Sequence, residues 1–442
     1  MEEPLSLVYQ TLISPYTGLI IKTGEMKDTI TSNPLRLCYA QVNVRSRIQG
    51  KVEMGWYEGS GAGITWQEAM MAAIGETVER YAATIYDDER DIIWATYNEV
   101  KEKAISPLQF ALPSSLDFAR FPEYFKPFDP DEKLDWASGW SIPEGTDVLV
   151  PASFVYAMLH QRTPSMSLSP NISTGLAAGS GPRAALLGGL CECIERDAFM
   201  ITYLNRLPVP EIDLEMVEEP AIQDILQRIR PWNDCQIRAW NMTTDIGVAS
   251  LLVVMRGTQV SLPAIICGAA THVDPVQALR KALIEAWQGY VWLSNQASLS
   301  EDLRQHTFAP DFSDVLTRDA HLALACQQTY VQYIDWLLAE RPKISLGDLP
   351  DLSDGSLDQQ LSRVLAEVNK VGLHVVACDL TPYEAQQAGL SVCRVLVPGI
   401  QQLTFGPVIV KSERLYEVPR RLGYTAERTT EASLNPIPHP FP

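Results

Sequence analysis

The feature that most constrains this chain is a motif it carries more than once. Displacing the sequence by 116 residues brings Gly63 onto Gly179, Ala69 onto Ala185, Glu76 onto Glu192, Glu79 onto Glu195 and Arg80 onto Arg196. A displacement of 209 residues brings Ala69 onto Ala278, Glu76 onto Glu285 and Glu79 onto Gln288. Each copy falls in a segment that reads as a long helix: residues 65–86, 182–204 and 275–295. Pro182 and Pro275 suit first helical turns, and Asp274 supplies an N-cap. Positions three and seven apart share one helical face. The small Ala therefore sits two turns before the first Glu, where another backbone or a ligand can approach closely. The two Glu, one turn apart, direct their carboxylates the same way.

Three such helices, brought together, would offer Glu76, Glu79, Glu192, Glu195 and Glu285 with the Gln288 amide. Concentrated carboxylates raise one another's pKa unless cations neutralise them. Hard cations with oxygen ligands are the natural partner, and Mg²⁺ leaves positions for water and phosphate. A single Glu-x-x-Glu-Arg is ordinarily a solvated face with an i,i+4 pair of the Glu76–Arg80 kind. Here the motif recurs in register, and its neighbours are apolar or small (Ala73, Ile74, Gly75, Val78; Leu187, Gly188, Gly189, Leu190). Carboxylates on a largely buried helix need partners. Residues 59–63 and 175–181 read as small-residue turns ahead of the first two helices, and their N–H groups would suit an anion. Neither leads into the Gly-Lys-Ser/Thr of a Walker A loop. Ser60, Gly61, Gly63 and Ser180 are thus candidate phosphate contacts, and Arg196, Arg280 and Lys281 candidate phosphate cations.

The rest of the chain alternates strand and helix patterns, which indicates a mixed α/β protein. Strands are expected at 35–44, 248–255, 263–270, 373–380 and 390–397, and two more within 136–156 around a turn at 143–146. Residues 357–371 read as an amphipathic helix stopped by Gly372. No linker rich in Gly, Ser or Pro lies between residues 50 and 400, and 103–128 and 298–315 read as loop-like insertions. The expectation is one catalytic unit over 1–442, with its core at about 55–400, and a proline-rich tail at 429–442. That tail places Pro436, Pro438, Pro440 and Pro442 at alternate positions, so it should be stiff and polyproline II-like. The net charge of −19 argues against non-specific nucleic-acid binding and against an anionic membrane surface. No apolar run approaches the ~20 residues of a membrane span, and the N-terminus lacks a signal pattern, so a cytoplasmic location is expected. The eight cysteines form no CxxC pair and read as buried thiols.

At these residues the chain resembles the YcaO superfamily. The resemblance runs through Ser60-Gly-Ala-Gly63 to Gly75-Glu-Thr-Val-Glu-Arg80, and Thr174-Gly-Leu-Ala-Ala-Gly179 to Glu192-Cys-Ile-Glu-Arg-Asp197. It continues in Thr271-His-Val-Asp-Pro275, Lys281-Ala-Leu-Ile-Glu-Ala-Trp-Gln288 and Val397-Pro-Gly399. Leu415-Tyr-Glu-Val-Pro419, Arg421-Leu-Gly-Tyr424 and Asn435-Pro-Ile-Pro-His-Pro-Phe-Pro442 are similar to the azoline-forming branch, the cyclodehydratase (D protein) of thiazole/oxazole-modified microcin biosynthesis. Ala72, Ser180 and Lys281 depart from that pattern, which often has Ser, Asn and Arg there.

The resemblance implies a YcaO-type ATP-binding fold of mixed sheets, with long helices carrying the glutamates. It implies Mg²⁺ held around ATP by Glu76, Glu79, Glu192, Glu195 and Glu285, with Arg196 on phosphate. The implied reaction converts Cys, Ser or Thr of a ribosomal precursor peptide to thiazoline or oxazoline. Other YcaO reactions, thioamide or amidine formation, and a non-catalytic peptide-binding scaffold are the alternatives within the resemblance. Without the resemblance, a Mg²⁺-dependent carboxylate–amine ligase is a further reading. In azoline-forming relatives the tail is thought to reach the active site, which makes the Pro442 carboxylate a candidate base. The similar region begins near Ser14-Pro-Tyr-Thr-Gly18, so leader recognition is expected from a separate ThiF-like partner protein. A flavin dehydrogenase is a further candidate partner, for oxidation of azolines to azoles.

Overall fold

Alternation in Arg36–Val42 turns Cys38, Ala40 and Val42 inward and leaves Tyr39 and Gln41 partly exposed. This strand is the centre of a three-stranded antiparallel sheet, between Ile20–Glu25 and Glu58–Gly63. The computed structural model describes the chain apart from residues 1–2, 27–33, 43–57, 88, 123–124, 158–167, 169–172, 230–234, 258–262, 296–305, 407–409 and 442. Two compact units are formed from interleaved segments: Met1–Met26, Arg36–Cys193 and Gly372–Ile400 in the first, and Lys27–Leu35, Ile194–Val371 and Gln401–Pro442 in the second.

The first unit holds that small sheet and a six-stranded one. The larger sheet runs Ile92–Thr96, Lys133–Ser141, Val376–Asp379, Ser391–Leu396 and Leu176–Gly179, and Thr146–Pro151 also pairs with Lys133–Ser141. The helix Trp66–Ala82 lies on the small sheet, and its buried Met70, Ile74 and Val78 share a core with Val8, Leu12 and Ile20. Thr65 caps it, its hydroxyl accepting the Glu68 N–H at 3.2 Å. It stops at Ala82, short of the expected 86, where the Thr84 and Ile85 N–H groups turn to carbonyls three residues back, those of Tyr81 and Ala82. The hairpin expected at 136–156 is present. The strand expected at 373–380 is confined to Val376–Asp379, after Gly372 ends the helix Leu357–Lys370 at φ +80°.

The second unit holds a five-stranded sheet in the order Ile265–Thr271, Ser250–Gly257, Cys235–Asn241, Glu211–Ile212, Lys343–Ile344. All pairs are antiparallel except the last. Ile265–Thr271 is buried throughout, which explains its continuous apolar run. The helix Pro275–Asn295 packs on it, and Trp287, Tyr290 and Leu283 are fully buried. The helix Pro182–Leu204 has the expected bounds, and the unit boundary falls inside it, between Cys193 and Ile194.

One expectation is corrected. Residues 59–63 lie in a β-strand rather than a turn, and of 175–181 the stretch 176–179 is a strand. Their small residues answer to packing: a Cβ on Gly61 would strike the Ala69 carbonyl, one on Gly179 the Ala185 N–H, and one on Gly268 the Ala286 N–H. The motif helices can lie on their strands only where the strand has no side chain.

Candidate active site

The repeat seen in the sequence is also a repeat of hydrogen bonds. The first glutamate of each helix folds back on the segment that precedes it, a strand residue in the first and third copies and Gly175, just ahead of Leu176–Gly179, in the second. Glu76 Oε2 accepts the Ser60 N–H at 2.5 Å, Glu192 Oε2 the Gly175 N–H at 3.0 Å, and Glu285 Oε2 the Ala269 N–H at 2.8 Å. The second glutamate reaches the strand of the next copy. Glu79 Oε1 accepts the Ala178 N–H at 2.6 Å, and Glu195 Oε2 the Thr271 N–H at 3.3 Å. Ala178 and Thr271 correspond to Ala62 under the displacements of 116 and 209. The carboxylates are thereby fixed by charge-assisted bonds to main chain rather than left to surface rotamers.

In the first unit, Glu76, Glu79 and Glu192 lie within one electrostatic neighbourhood. Burial raises the Glu79 carboxyl to about 8; the Ala178 N–H opposes this, and the Glu192 and Glu76 charges add to it. Arg80 gives one donor to Glu76 at 2.6 Å and lowers Glu79 only weakly. Burial is the main cause of that rise and the two neighbouring carboxylates the lesser one, so a cation bound beside Glu79 would favour its charged form. Among the described residues, no group of three or more His, Cys, Asp or Glu side chains closes into a metal cage. The donors are nonetheless hard oxygens, and Mg²⁺ keeps water and phosphate in most of its positions, so the residues present fit that ion.

In the second unit, Glu195 and Asp197 are buried and Arg196 is largely so. Arg196 Nε lies 3.3 Å from Glu195 Oε1, and its guanidinium stands 4.3 Å from the centroid of the Phe441 ring. Arg280 is half-buried on the third helix and Lys281 exposed. His272, whose Nδ1 accepts the Asp274 N–H, is lowered to about 4 by burial and by the Lys281 charge. Ser60 is half-buried and Ser180 exposed, whereas Gly61 and Gly63 are buried beneath the first helix. Pro442 lies outside the described residues. The segment leading to it is docked, with Asn435, His439 and Phe441 buried.

Sequence reasoning missed a second layer. Arg414 donates to both Asp197 oxygens and to Asp245, and Arg421 pairs with Asp245 at 3.1 Å. The Gln401 N–H also donates to Asp197, at 2.9 Å. Tyr203, His321 and Tyr330, which hold the tail, share no spacing that would have singled them out.

Residues 60–401 match the model of the YcaO family, described as YcaO cyclodehydratase, ATP- and Mg²⁺-binding. The chain belongs to the YcaO family, a family of ATP-binding enzymes. It is similar to a solved heterocyclase in complex with substrate and cofactor, with TM-score 0.81 and 27% identity over 99% of this chain and 57% of that one. It is also similar to the heterocyclase TruD, with TM-score 0.67 and 26% identity over 84% of this chain and 50% of that one. The chain thus spans about half the length of either. A Methanothermobacter thermautotrophicus protein, described only as uncharacterized, is 26% identical over 79% of this chain and 82% of its own length. No helix among the described residues is long and apolar enough to cross a membrane.

Proposed function

We propose that this chain is an ATP-dependent peptide cyclodehydratase. A Cys thiol, or a Ser or Thr hydroxyl, of a ribosomal precursor peptide attacks the preceding backbone carbonyl to give a hemiorthoamide. The former carbonyl oxygen takes the γ-phosphoryl group of ATP and departs as phosphate, leaving a thiazoline or oxazoline and ADP. Glu76, Glu79, Glu192, Glu195 and Glu285 hold Mg²⁺, which disperses the charge of the phosphoryl group. Arg196, Arg280 and Lys281 meet phosphate. Ser60 and Ser180 add hydroxyl donors, and Gly61 and Gly63 can contribute only main chain. The Pro442 carboxylate removes the nucleophile's proton.

The observation that carries this reading is the docked tail. Phe441, the residue before Pro442, stacks on Arg196, one residue along from a motif glutamate. Such a tail favours azoline formation over the family's other reactions. The similarity to two heterocyclases supports the same choice. A ThiF-like partner would present the peptide leader, and a flavin dehydrogenase would oxidise the rings where azoles are made.

The test mixes the chain with precursor peptide, partner, ATP and Mg²⁺. Each ring should appear as a mass loss of ~18 Da, with ADP released. Appending a few residues after Pro442 should suppress ring formation while Phe441 stays docked. Unchanged ring formation by the extended chain would remove Pro442 from the mechanism. A mass gain in place of the loss would point to thioamidation.

A further inference from the structure

We propose that Phe441 is a positioning residue for Arg196, so that docking of the C-terminal segment and binding of nucleotide phosphate are coupled. The inference deepens the reading above and rests on it, since it takes Arg196 as a phosphate contact. It assigns the tail a task separate from supplying a base.

The guanidinium of Arg196 is held on two sides. One is the carboxylate of Glu195, at 3.3 Å, whose other oxygen is tied to the Thr271 N–H. The other is the face of the Phe441 ring, 4.3 Å from Cζ. That ring is fully buried and tilts against Phe199 at 4.7 Å, so it is itself a fixed surface. An arginine has much rotamer freedom to lose when it grips a phosphate. A carboxylate and a ring face that already hold the guanidinium remove most of that loss before the ligand arrives. The ring face attracts the cation without accepting a proton from it and without neutralising it.

The tail is built to hold the ring there. The Asn435 N–H donates to the Leu204 carbonyl at 2.7 Å, and Arg206 donates to Asn435 Oδ1 at 3.0 Å. The hydroxyls of Tyr203 and Tyr330 both donate to the Pro438 carbonyl. His321 Nε2 accepts the Gly406 N–H at 3.0 Å, which leaves the proton on Nδ1 to donate to the His439 carbonyl at 2.9 Å. His439 Nε2 in turn donates to the Thr404 carbonyl at 2.9 Å. Alternate prolines keep the segment between these anchors extended. A frayed end would need none of these partners. Because coupling is reciprocal, nucleotide that fixes Arg196 should also strengthen docking of the tail.

The experiment uses the full chain and three forms: parent, Phe441→Leu and Phe441→Tyr. Leucine keeps apolar bulk and loses the ring; tyrosine keeps the ring. Calorimetric titration with Mg·ATP gives Kd, and ADP release with peptide and partner gives KM and kcat separately. Phe441→Leu should weaken ATP binding about tenfold and raise KM for ATP in step, with a smaller change in kcat. Phe441→Tyr should bind ATP within about twofold of the parent. ATP should also slow carboxypeptidase trimming of the parent tail. Parent affinity in Phe441→Leu, or equal weakening in the Leu and Tyr forms, would overturn the inference and leave the ring as packing. A parent chain that fails to bind Mg·ATP would instead overturn the proposed function.

Discussion

The carboxylates of the two units are built from the same strand-and-helix repeat, yet their surroundings differ. In the first unit, burial pushes Glu79 up to about 8, Glu192 and Glu76 add to the rise, and Arg80 is turned to Glu76. In the second, Glu195 has Arg196 alongside it, and the arginine is backed by an aromatic ring delivered from the tail. A buried carboxylate with other carboxylates near it is suited to a cation; a carboxylate with a restrained arginine beside it can position that arginine toward an anion as well as serve as a metal ligand. One repeated local geometry has therefore been given two electrostatic settings. Both settings serve the proposed function, which calls for a held cation and for a cationic side chain to meet phosphate.

The largest expected effect breaks the motif itself. Glu192→Ala or Glu76→Ala should lower ATP turnover by about a hundredfold or more, with an unchanged far-ultraviolet circular dichroism spectrum. Parent-rate turnover in both variants would reduce the cluster to a hydrogen-bonded helix face. Arg414→Leu separates support from chemistry. Arg414 is buried between Asp197 and Asp245, so its loss strands two carboxylates and should lower stability by about 3–5 kcal/mol in denaturant titrations. Gly61→Ala drives a methyl into the Ala69 carbonyl and should cost about 1–3 kcal/mol by the same method.

The smallest effect sharpens the comparison. The folded-state pKa of Glu79 is raised to about 8 from an unfolded value of 4.5, so folding favours its protonated form. Its contribution is fully present below pH 4.5 and is lost as pH rises through 8. In Mg²⁺-free buffer the thermal midpoint should fall between pH 5 and 8, and Glu79→Gln should flatten that fall. An identical pH profile in the two proteins would contradict the account of the first cluster.

Much of this was legible because helix spacing and glutamate chemistry are local. Pro182–Leu204 and Pro275–Asn295 have the bounds read from first-turn prolines and apolar periodicity. The glycines at 59–63 were misread as turns because strand and turn both accept glycine; only the helix lying on them distinguishes the two. The division of the chain left no composition signal, since the boundary between Cys193 and Ile194 is inside a helix rather than in a linker. The partners of Asp197, and His321 as partner of the His439 carbonyl, come from more than a hundred positions away in sequence, beyond any periodicity. The stiffness of the tail could be read from its prolines, but its anchors at Tyr203, His321 and Tyr330 could not.

The most direct measurement titrates Mg·ATP into the parent chain, Glu192→Gln and Arg196→Gln at rising free Mg²⁺. A defect in holding the metal should be relieved by more metal, so Glu192→Gln should recover much of its ATP affinity as Mg²⁺ rises. A defect in meeting phosphate should persist, so Arg196→Gln should stay weak throughout. Identical Mg²⁺ dependence in the two variants would contradict the division of labour between the motif glutamate and the arginine.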